Sequence, residues 1–510
     1  MLIFVFGRQG SGKSAYLYRA AAQAAAQGVR RQIFLVPETH SHEAERRLCE
    51  AGGDSISLSC EVLTFRRLAN RVFAEYGGLA DRVLDDGGRI LLMQNAFESV
   101  RTSMKYYVGA AGPELLEGFV KVVDEFKSCC LDDGAILPLL PEFDSVLSAK
   151  LHDFLLIRAA YDAQCAGRFT DPRDELTRLA DAVRALDWFS GRRVYIDGFS
   201  GFTPQEYAIL SSLSRAEVYA ALDFDPADPD SELFAKSRET AARLAKLAGD
   251  GHAESVALPP PQRHADLAVL EQGLFDYTAA PSEIVPQHIE LTAAPGIFSE
   301  CELAAARILR LMREGLRCRE IVVVSGDFDA YRLPLESALE RFGIPFYITQ
   351  KTDLRVKSVT ALMLRAVRIA VSGFRHEDVF SYLKTGLTGI PRADIDLLEN
   401  YCLQWRVKPG QWTAQLPWGM NPDGFGAPLT EDGAALLARL NDIRQRIVQP
   451  LTRLGSRLRG EDSVLDKVRA VYEFSLEIGL PAACDARAEE LRAAGELTQA
   501  DEYRQLWEIF

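Results

Sequence analysis

Residues 2–14 of this chain read LIFVFGRQGSGKS, an apolar run followed by a glycine-rich turn and a lysine–serine pair. The apolar run predicts a buried strand, and the residues from Ser14 onward predict a helix. The turn fits the spacing G-x-x-x-x-G-K-[ST], in which backbone N–H groups converge on phosphate oxygens and the helix points its positive end at the same anion. The stretch therefore predicts a strand–loop–helix unit that binds a nucleoside triphosphate.

Each part of this loop has a predicted task. We expect Lys13 to reach the terminal phosphates and the Ser14 hydroxyl to complete a Mg²⁺ shell. The alternative is an ordinary glycine-rich turn between a strand and a helix, which gives no reason for a lysine at position 13. The backbone of the loop is predicted to hold the phosphates at Gly7, Gly10, Ser11 and Gly12.

The second half of such a site is an acid at the end of a neighbouring strand. Residues 193–197 read RVYID and predict a strand ending in Asp197, which would hold Mg²⁺ through water. Helicase-type motors usually place a Glu next, to orient and deprotonate the attacking water, but here the residue is Gly198. Glu206 is either a substitute or a residue that compensates a helix dipole. We therefore expect a site that binds ATP and hydrolyses it slowly or not at all.

Length and composition set broad limits. A chain of 510 residues with 48% hydrophobic and 25% charged residues is ordinary for a globular protein of about three or four domains. The net charge of −14 argues against non-specific coating of nucleic acid, though not against a local basic channel. The nine cysteines form no C-x-x-C pair, so we expect thiols in a reducing compartment and no zinc site. No stretch reaches the roughly 18 apolar residues that cross a bilayer, and we expect a cytoplasmic protein with no membrane partner.

The patterns divide the chain into blocks. Residues 1–86 and 191–285 are predicted as one α/β domain, interrupted by a helical insertion at 87–190. A second α/β domain is predicted over 286–375, and 376–510 are predicted as its helical insertion, ending inside an apolar helical pattern that indicates a truncated chain. Besides the first strand, strands are predicted at 32–36, 55–59, 193–197, 217–224, 289–293, 321–324 and 344–348.

Basic residues cluster locally where a predicted strand meets a helix. Arg66, Arg67 and Arg71 follow Thr64 and Phe65. An aromatic ring beside arginines at such an edge suits stacking and phosphate contacts with single-stranded DNA. A solvated helix face gives the same pattern, so the residues alone leave both interpretations open.

Several segments together resemble the B subunit of the AddAB-type helicase–nucleases, which process double-strand DNA breaks. Many families share the phosphate loop, whereas the combination of DGF and FTPQE with YLKTGL is far more specific. The resembling segments include 7–14, FLVPE at 34–38, TFRRLA at 64–69, YIDGF at 195–199, GFTPQE at 201–206 and YLKTGL at 382–387.

The resemblance implies an α/β fold of the P-loop NTPase class, with two RecA-like domains of superfamily-1 helicase type that carry helical insertions. It implies a chain that binds ATP and single-stranded DNA, pairs with an AddA-type motor chain at duplex ends, and has weak or no motor activity by itself. The nuclease carboxylates and iron–sulfur cysteines of the family lie in its C-terminal part, and we find neither in this sequence. The DNA contacts implied are Thr39, Ser41, Thr64, Phe65, Arg67 and Phe202.

Two other functions fit the same loop. One is a self-sufficient, DNA-stimulated translocating ATPase or helicase. The other is a phosphotransferase for a small molecule, which the size of the chain and the second predicted α/β domain argue against.

Overall fold

The computed structural model describes residues 1–229, 231–247, 253–274, 276–348, 354, 357–460 and 463–509. The chain divides into two compact units, Met1–Thr292 and Ala293–Phe510. The first unit is α/β, as predicted, and the described residues of the second unit form helices joined by loops.

The first unit is built on a six-stranded parallel sheet with the order β3-β2-β4-β5-β1-β6. Helices cover both faces of a parallel sheet, which is why most of its strands read as continuous apolar runs. One strand, β5, lies between β1 and β4. The strands are β1 (Leu2–Gly7), β2 (Gln32–Leu35), β3 (Cys60–Leu63), β4 (Arg193–Ile196), β5 (Glu217–Asp223) and β6 (Ala253–Ala257).

The helices of the first unit form two layers around this sheet and a separate block between β3 and β4. They are α1 (Lys13–Ala26), α2 (Ser41–Gly52), α3 (Phe65–Tyr76), α4 (Asp86–Val100), α5 (Pro113–Ser128), α6 (Asp133–Ile136), α7 (Ser145–Cys165), α8 (Glu175–Ala185), α9 (Pro204–Leu210), α10 (Ala235–Leu247) and α11 (Ala265–Gly273).

Alternate side chains of the strands fill the two layers. On one face, Phe34 of β2 stacks on Tyr18 of α1 at 4.7 Å and on Tyr195 of β4 at 5.5 Å between ring centroids. On the other face, Ile33 and Ile196 join a core that includes residues of α3, α8 and α9. The two cores fix the strand register, because a shift by one residue would exchange the two sets of side chains.

The helical block that interrupts the sheet has its own core. Phe97, Phe119 and Phe154 from α4, α5 and α7 pack together there. The buried carboxylate of Asp153 accepts N–H bonds from the loop at 105–107 at 2.6–3.0 Å, which ties that loop to α7. The residues between β3 and β4 therefore form a helical block, and the domain bounds of the insertion at 87–190 stay a prediction.

The structure of the first unit differs from the predicted strands at two places. The strand predicted at 55–59 is wrong, because Asp54–Leu58 forms a 3-10 helix that buries Ile56, and β3 follows it. The edge strand β6 was not predicted, since its sequence AESVA has only one large apolar residue. It pairs with β1 in parallel.

The second unit contains a helical hairpin and a larger helical core. In the hairpin, Cys301, Ala305 and Leu335 pack between two helices. Trp412 and Leu451 are among the side chains buried in the larger core. The helices are α12 (Ile297–Arg313), α13 (Phe328–Arg341), α14 (Ser358–Ser372), α15 (His376–Leu383), α16 (Arg392–Gln404), α17 (Pro409–Trp412), α18 (Glu431–Arg459), α19 (Val464–Glu477), α20 (Leu480–Ala493) and α21 (Leu497–Ile509).

The strands predicted at 289–293, 321–324 and 344–348 are not formed in the described residues. Val322 and Val324 are 81% and 84% exposed, so the apolar pattern that indicated a buried strand has no partner ladder here. The prediction of strands at these places is wrong for the described structure, and the second α/β domain over 286–375 stays a prediction.

Candidate nucleotide-binding site

The predicted phosphate loop lies at the carboxyl edge of the sheet. Gly7 ends β1, and α1 begins at Lys13. Gly10 and Gly12 have φ values of 85° and 90°, in the left-handed region that favours glycine. These two glycines let the loop turn back from the strand into the helix, as the sequence predicted.

Lys13 is folded onto its own loop. Its Nζ donates to the carbonyl oxygens of Gly7 at 2.9 Å and Arg8 at 3.0 Å. It also forms an ion pair with Asp223 Oδ1 at 2.7 Å. Asp223 ends β5 and pairs with Gly7 in the strand register. Three oxygens therefore hold the ammonium at the base of the loop.

Ser14 and Asp197 meet although 183 positions separate them. The Ser14 hydroxyl donates to Asp197 Oδ1 at 3.1 Å. Asp197 follows β4 and is 8% exposed. Its burial raises the pKa of the carboxyl, an effect that the hydrogen bonds from Ser14 and the Gly198 backbone and the charge of Lys13 only partly offset.

These side chains line one cavity of about 580 Å³. Its volume lies in the usual range for a small-molecule site. The first turn of α1 carries no acidic residue, and no side chain caps its N-terminus. The cavity is lined by Gln9, Gly10, Gly12, Lys13, Ser14, Ala15, Tyr18, Val36, His40, Glu43, Ala44, Arg47, Asp197, Gly198, Phe199, Ser200, Ala221 and Asp223.

The sequence did not identify several members of this site. Arg263, from the segment after β6, donates to the carbonyl oxygen of Gln9 at 2.7 Å and pairs with Glu271 at 2.8 Å. Arg47 of α2 lines the cavity and pairs with Glu43 at 2.6 Å. Asp223 carried a signal, since it is the second-last residue of the strand predicted at 217–224. The two arginines follow no motif spacing.

The position after Asp197 is closed to a larger residue. Gly198 has φ 77°, and a Cβ there would lie 2.7 Å from His40 Nδ1 and 3.3 Å from Pro37 Cδ. His40 therefore occupies the space of a side chain at position 198. Glu206 lies elsewhere: it forms a capping box with Thr203 and lines a different cavity.

The predicted DNA contacts follow β2, β3 and β4, at the same edge of the sheet. Thr39 and Ser41 lie in the turn after β2 and at the start of α2. Thr64 and Phe65 lie at the start of α3, after β3. Phe202 follows β4 and contacts Phe65 edge-on at 6.3 Å. The fold brings these positions to one region.

Several of these side chains already have structural partners. Thr64 caps α3 by accepting from the Arg67 backbone N–H at 3.2 Å, and its hydroxyl donates to Glu38 at 2.6 Å. Phe65 is only 7% exposed. Arg67 is half exposed and pairs with Glu45 at 2.6 Å. Among the predicted contact residues, Arg67 is the cation that solvent can reach.

The adjoining cavity of about 580 Å³ is rich in carboxylates. Its acidic residues outnumber its basic ones, which opposes the binding of phosphate within it. The charged residues that line it are Glu38, Arg66, Asp124, Glu125, Arg173, Glu175 and Glu206. The DNA contacts stay a prediction.

In the part of the chain that the structure describes, no helix has the length and apolar character needed to span a membrane.

Comparison with known proteins places the candidate site inside a recognised family region. The family model described as "ADDB, N-terminal" matches residues 4–271, which include every loop residue and Asp197. Proteins named as the B subunit of an ATP-dependent helicase/deoxyribonuclease match almost the whole chain. The one from Acetivibrio thermocellus is 30% identical over 99% of this chain and 46% of its own length.

Two further relatives agree in extent. The proteins of the same name from Desulforudis audaxviator and Clostridium acetobutylicum are 33% and 29% identical over 99% and 100% of this chain. The chain covers 46% of each of them, and so spans a little under half the length of these relatives. With the family model matching more than half of its residues, this chain belongs to the AddB N-terminal family.

Proposed function

We propose that the chain binds ATP with Mg²⁺ at the loop between β1 and α1. The observation that carries the proposal is the convergence of Lys13, Ser14 and Asp197 in one cavity at the carboxyl edge of a parallel sheet. Ligands of open α/β sheets bind at this edge, where the strand order reverses. A P-loop NTPase fold of the RecA-like kind accounts for this arrangement and for the strand between β1 and β4.

The residues present fit a triphosphate. The Ser11 hydroxyl oxygen is buried and has no hydrogen-bond partner among the described residues, so it is available to an incoming group. The uncapped N-terminus of α1 attracts an anion. Lys13 and the neighbouring Arg47 and Arg263 place three cations around the loop. Each of them pairs with a carboxylate of this chain, which a phosphate would displace.

The residues also fit Mg²⁺, provided that phosphate oxygens and water complete its shell. No group of three or more His, Cys, Asp or Glu side chains in the described residues is arranged to hold a metal alone. Mg²⁺ commonly takes one or two protein oxygens together with substrate phosphates and waters. Ser14 Oγ and Asp197 Oδ1, 3.1 Å apart, are the protein oxygens we assign to it.

We infer that turnover at this site is weak. The position at which helicase-type motors usually carry a Glu is Gly198, and His40 fills the space beside it. Ser14 and Asp197 would hold Mg²⁺, which would supply stabilisation of the charge on the phosphates. The site then holds ATP without a carboxylate at the position that would accept the proton of an attacking water.

For the wider function, we propose that this chain is part of a helicase–nuclease that acts in recombinational repair in the cytoplasm. Within that enzyme, the chain would bind ATP and single-stranded DNA. The names of the relatives support this, since they describe the B subunit of an ATP-dependent helicase/deoxyribonuclease. Such a subunit requires a partner, for which we propose an AddA-type motor chain. Helicase and nuclease activity belong to the proposed complex.

The test is a titration of the purified chain with a fluorescent ATP analogue and Mg²⁺. Lys13→Ala removes the loop ammonium and is expected to weaken binding about ten- to one-hundredfold, because charge-assisted hydrogen bonds contribute about 1.5–3 kcal/mol. Arg19→Ala is the matched control, since it removes an exposed cation from the outer side of the same helix. Equal affinity of the two variants would refute the assignment.

A self-sufficient translocating ATPase is the second candidate, and His40 is the observation that favours it. Its ring lies next to position 198, and histidine is the side chain that most often serves as a general base in catalysis. This candidate predicts DNA-stimulated ATP turnover by the isolated chain that is lost in His40→Ala while ATP affinity is retained. Absence of stimulated turnover in the parent chain supports the first proposal.

A further inference from the structure

A third large cavity opens at the amino-terminal edge of the sheet, opposite the phosphate loop. It has a volume of about 600 Å³ and lies where β2, β3 and β4 begin. We call it the amino-edge pocket. The basic residues of its lining are Arg30, Arg31, Arg71 and Arg192.

The carboxylates of this pocket are already engaged. Glu61 and Glu75 pair with Arg71 at 3.3 Å and 2.7 Å. Glu75 also accepts from the indole N–H of Trp188 at 2.9 Å. Asp187 pairs with Arg215 at 2.5 Å. None of these acids forms an ion pair with Arg30, Arg31 or Arg192 in the described structure, although the charges of Glu75 and Glu61 act on Arg192.

Three guanidinium groups remain without a carboxylate partner in the described structure: those of Arg30, Arg31 and Arg192. Arg192 is half-buried and stacks on the Trp188 ring, with 3.8 Å between the guanidinium carbon and the ring centroid. Its Nε donates to the Trp188 carbonyl at 2.7 Å. This bond fixes the orientation of the guanidinium group and leaves its two terminal nitrogens for a ligand. Burial, together with the charges of Arg31 and Arg71, lowers the pKa of Arg192, and the opposing charges of Glu75 and Glu61 offset this only in part.

The backbone adds a second observation. Arg31 has φ 61°, a left-handed conformation that costs a non-glycine residue about 1–2 kcal/mol. Arg30 and Arg31 are two consecutive exposed arginines in the lining of the pocket, in a chain whose net charge is −14. The strained backbone of Arg31 and the cluster of positive charges around it indicate that the pocket binds an anion.

Tyr76 supplies an accessible aromatic ring to the pocket. It is the last residue of α3, it lines the pocket, and its side chain is 53% exposed. Leu58, also in the lining, is 76% exposed. An accessible aromatic ring beside arginines can stack a base while the guanidiniums contact phosphates.

We propose that the amino-edge pocket binds a segment of a nucleic-acid strand, with its phosphates on Arg30, Arg31 and Arg192 and a base on Tyr76. This site is separate from the nucleotide site and from the DNA contacts predicted at the carboxyl edge. An inorganic phosphate group shares the chemistry of the backbone, and the test separates the two.

The test uses the full chain and a fluorescein-labelled twelve-nucleotide oligo(dT), followed by fluorescence anisotropy at several salt concentrations. Arg30→Ala/Arg192→Ala is expected to weaken binding at least about tenfold and to reduce the salt slope by about 1.4, or about 0.7 for each lost phosphate contact. Tyr76→Ala should weaken binding with the salt slope unchanged. Arg82→Ala/Arg168→Ala is the control, because it removes two exposed arginines outside the pocket.

Hydrogen exchange locates the ligand. Oligo(dT) is expected to protect the amides of residues 57–59 and 186–192 in the parent chain and in Lys13→Ala, but not in Arg30→Ala/Arg192→Ala. Equal loss of affinity in the control pair, or no protection of these segments, would overturn the proposal. So would protection by pyrophosphate alone, which indicates a free phosphate ligand, or by polyglutamate alone, which indicates an acidic protein.

Discussion

The ammonium of Lys13 forms an ion pair with Asp223 at 2.7 Å, across the two adjacent strands that carry the loop and the acid. The same ammonium is the group we expect to contact the terminal phosphates of ATP. Binding of a triphosphate must therefore compete with a carboxylate of this chain, and the strength of that competition can be measured.

Asp223→Asn removes the competing charge and keeps the shape of the side chain. Asp223 is half exposed, so its pair with Lys13 contributes modestly, about 0.5–1 kcal/mol. We expect ATP affinity to rise about two- to fivefold in this variant, measured by the same titration. Asp228→Asn, an exposed acid that does not line the cavity, should leave affinity unchanged. Weaker binding in Asp223→Asn would instead make Asp223 a ligand of Mg²⁺.

Gly198→Ala tests the contact between this position and His40. The φ of 77° adds strain to any L-residue, and the new Cβ would meet His40 Nδ1 at 2.7 Å. We expect a loss of about 1–3 kcal/mol in the free energy of unfolding, measured with urea. Gly53→Ala is the control for φ alone, since its φ is 73° and its Cβ would meet nothing within 4 Å.

The double variant His40→Ala/Gly198→Ala should recover the part of that loss due to the clash and bring it to the level of Gly53→Ala. If removal of His40 changes nothing, the imidazole does not occupy the space beside position 198.

Much of the sheet could be predicted because its strands are buried on both faces. Most of β1, β2, β4 and β5 read as apolar runs of strand length. The edge strand β6 lies at the border of the sheet and has a polar sequence, so periodicity carried no signal for it. Near Ile56, polar and apolar residues alternate, and this alternation predicted a strand. The same alternation is compatible with the 3-10 helix that forms there.

The site was predictable to the extent that motif spacing encodes it. Lys13 and Ser14 are fixed by the loop, and Asp197 by its place at a strand end. The contacts of Lys13 with Asp223 and of Gly198 with His40 depend on which strands and turns become neighbours, and no local pattern states that. For the same reason the sequence could not show that Phe65 is buried.

Asp197→Asn should stabilise the protein without nucleotide. Burial raises the pKa of this carboxyl above its ordinary value of 3.8. The folded chain then binds the proton more tightly than the unfolded chain, so the contribution of Asp197 to stability is greatest below pH 3.8 and is lost as pH rises through the folded pKa. At pH 7.5 we expect Asn to raise Tm by about 1–4 °C in a thermal scan.

The control variant for that thermal scan is expected to change Tm in the opposite direction. Burial by itself would raise the pKa of Asp225, but the hydrogen bonds from Arg8 at 2.6 Å and from the Ala227 backbone lower it overall. Its ionised form therefore favours folding at pH 7.5. Asp225→Asn should therefore lower Tm. Asp197→Asn should also lose the Mg²⁺-dependent part of ATP affinity, and a variant that keeps it would remove Asp197 from the metal site.

Arg67→Ala tests the carboxyl edge of the sheet as a DNA surface. Its guanidinium is 48% exposed and pairs with Glu45, so a phosphate can replace that carboxylate at small cost. We expect single-stranded DNA affinity to fall about two- to tenfold and the salt slope to decrease by about 0.7, one phosphate contact. Arg184→Ala, an exposed arginine paired with Asp181, is the control. An unchanged slope in Arg67→Ala would mean that Arg67 serves only the surface pair with Glu45, and that the buried Phe65 and the acidic cavity beside it exclude the strand from this edge.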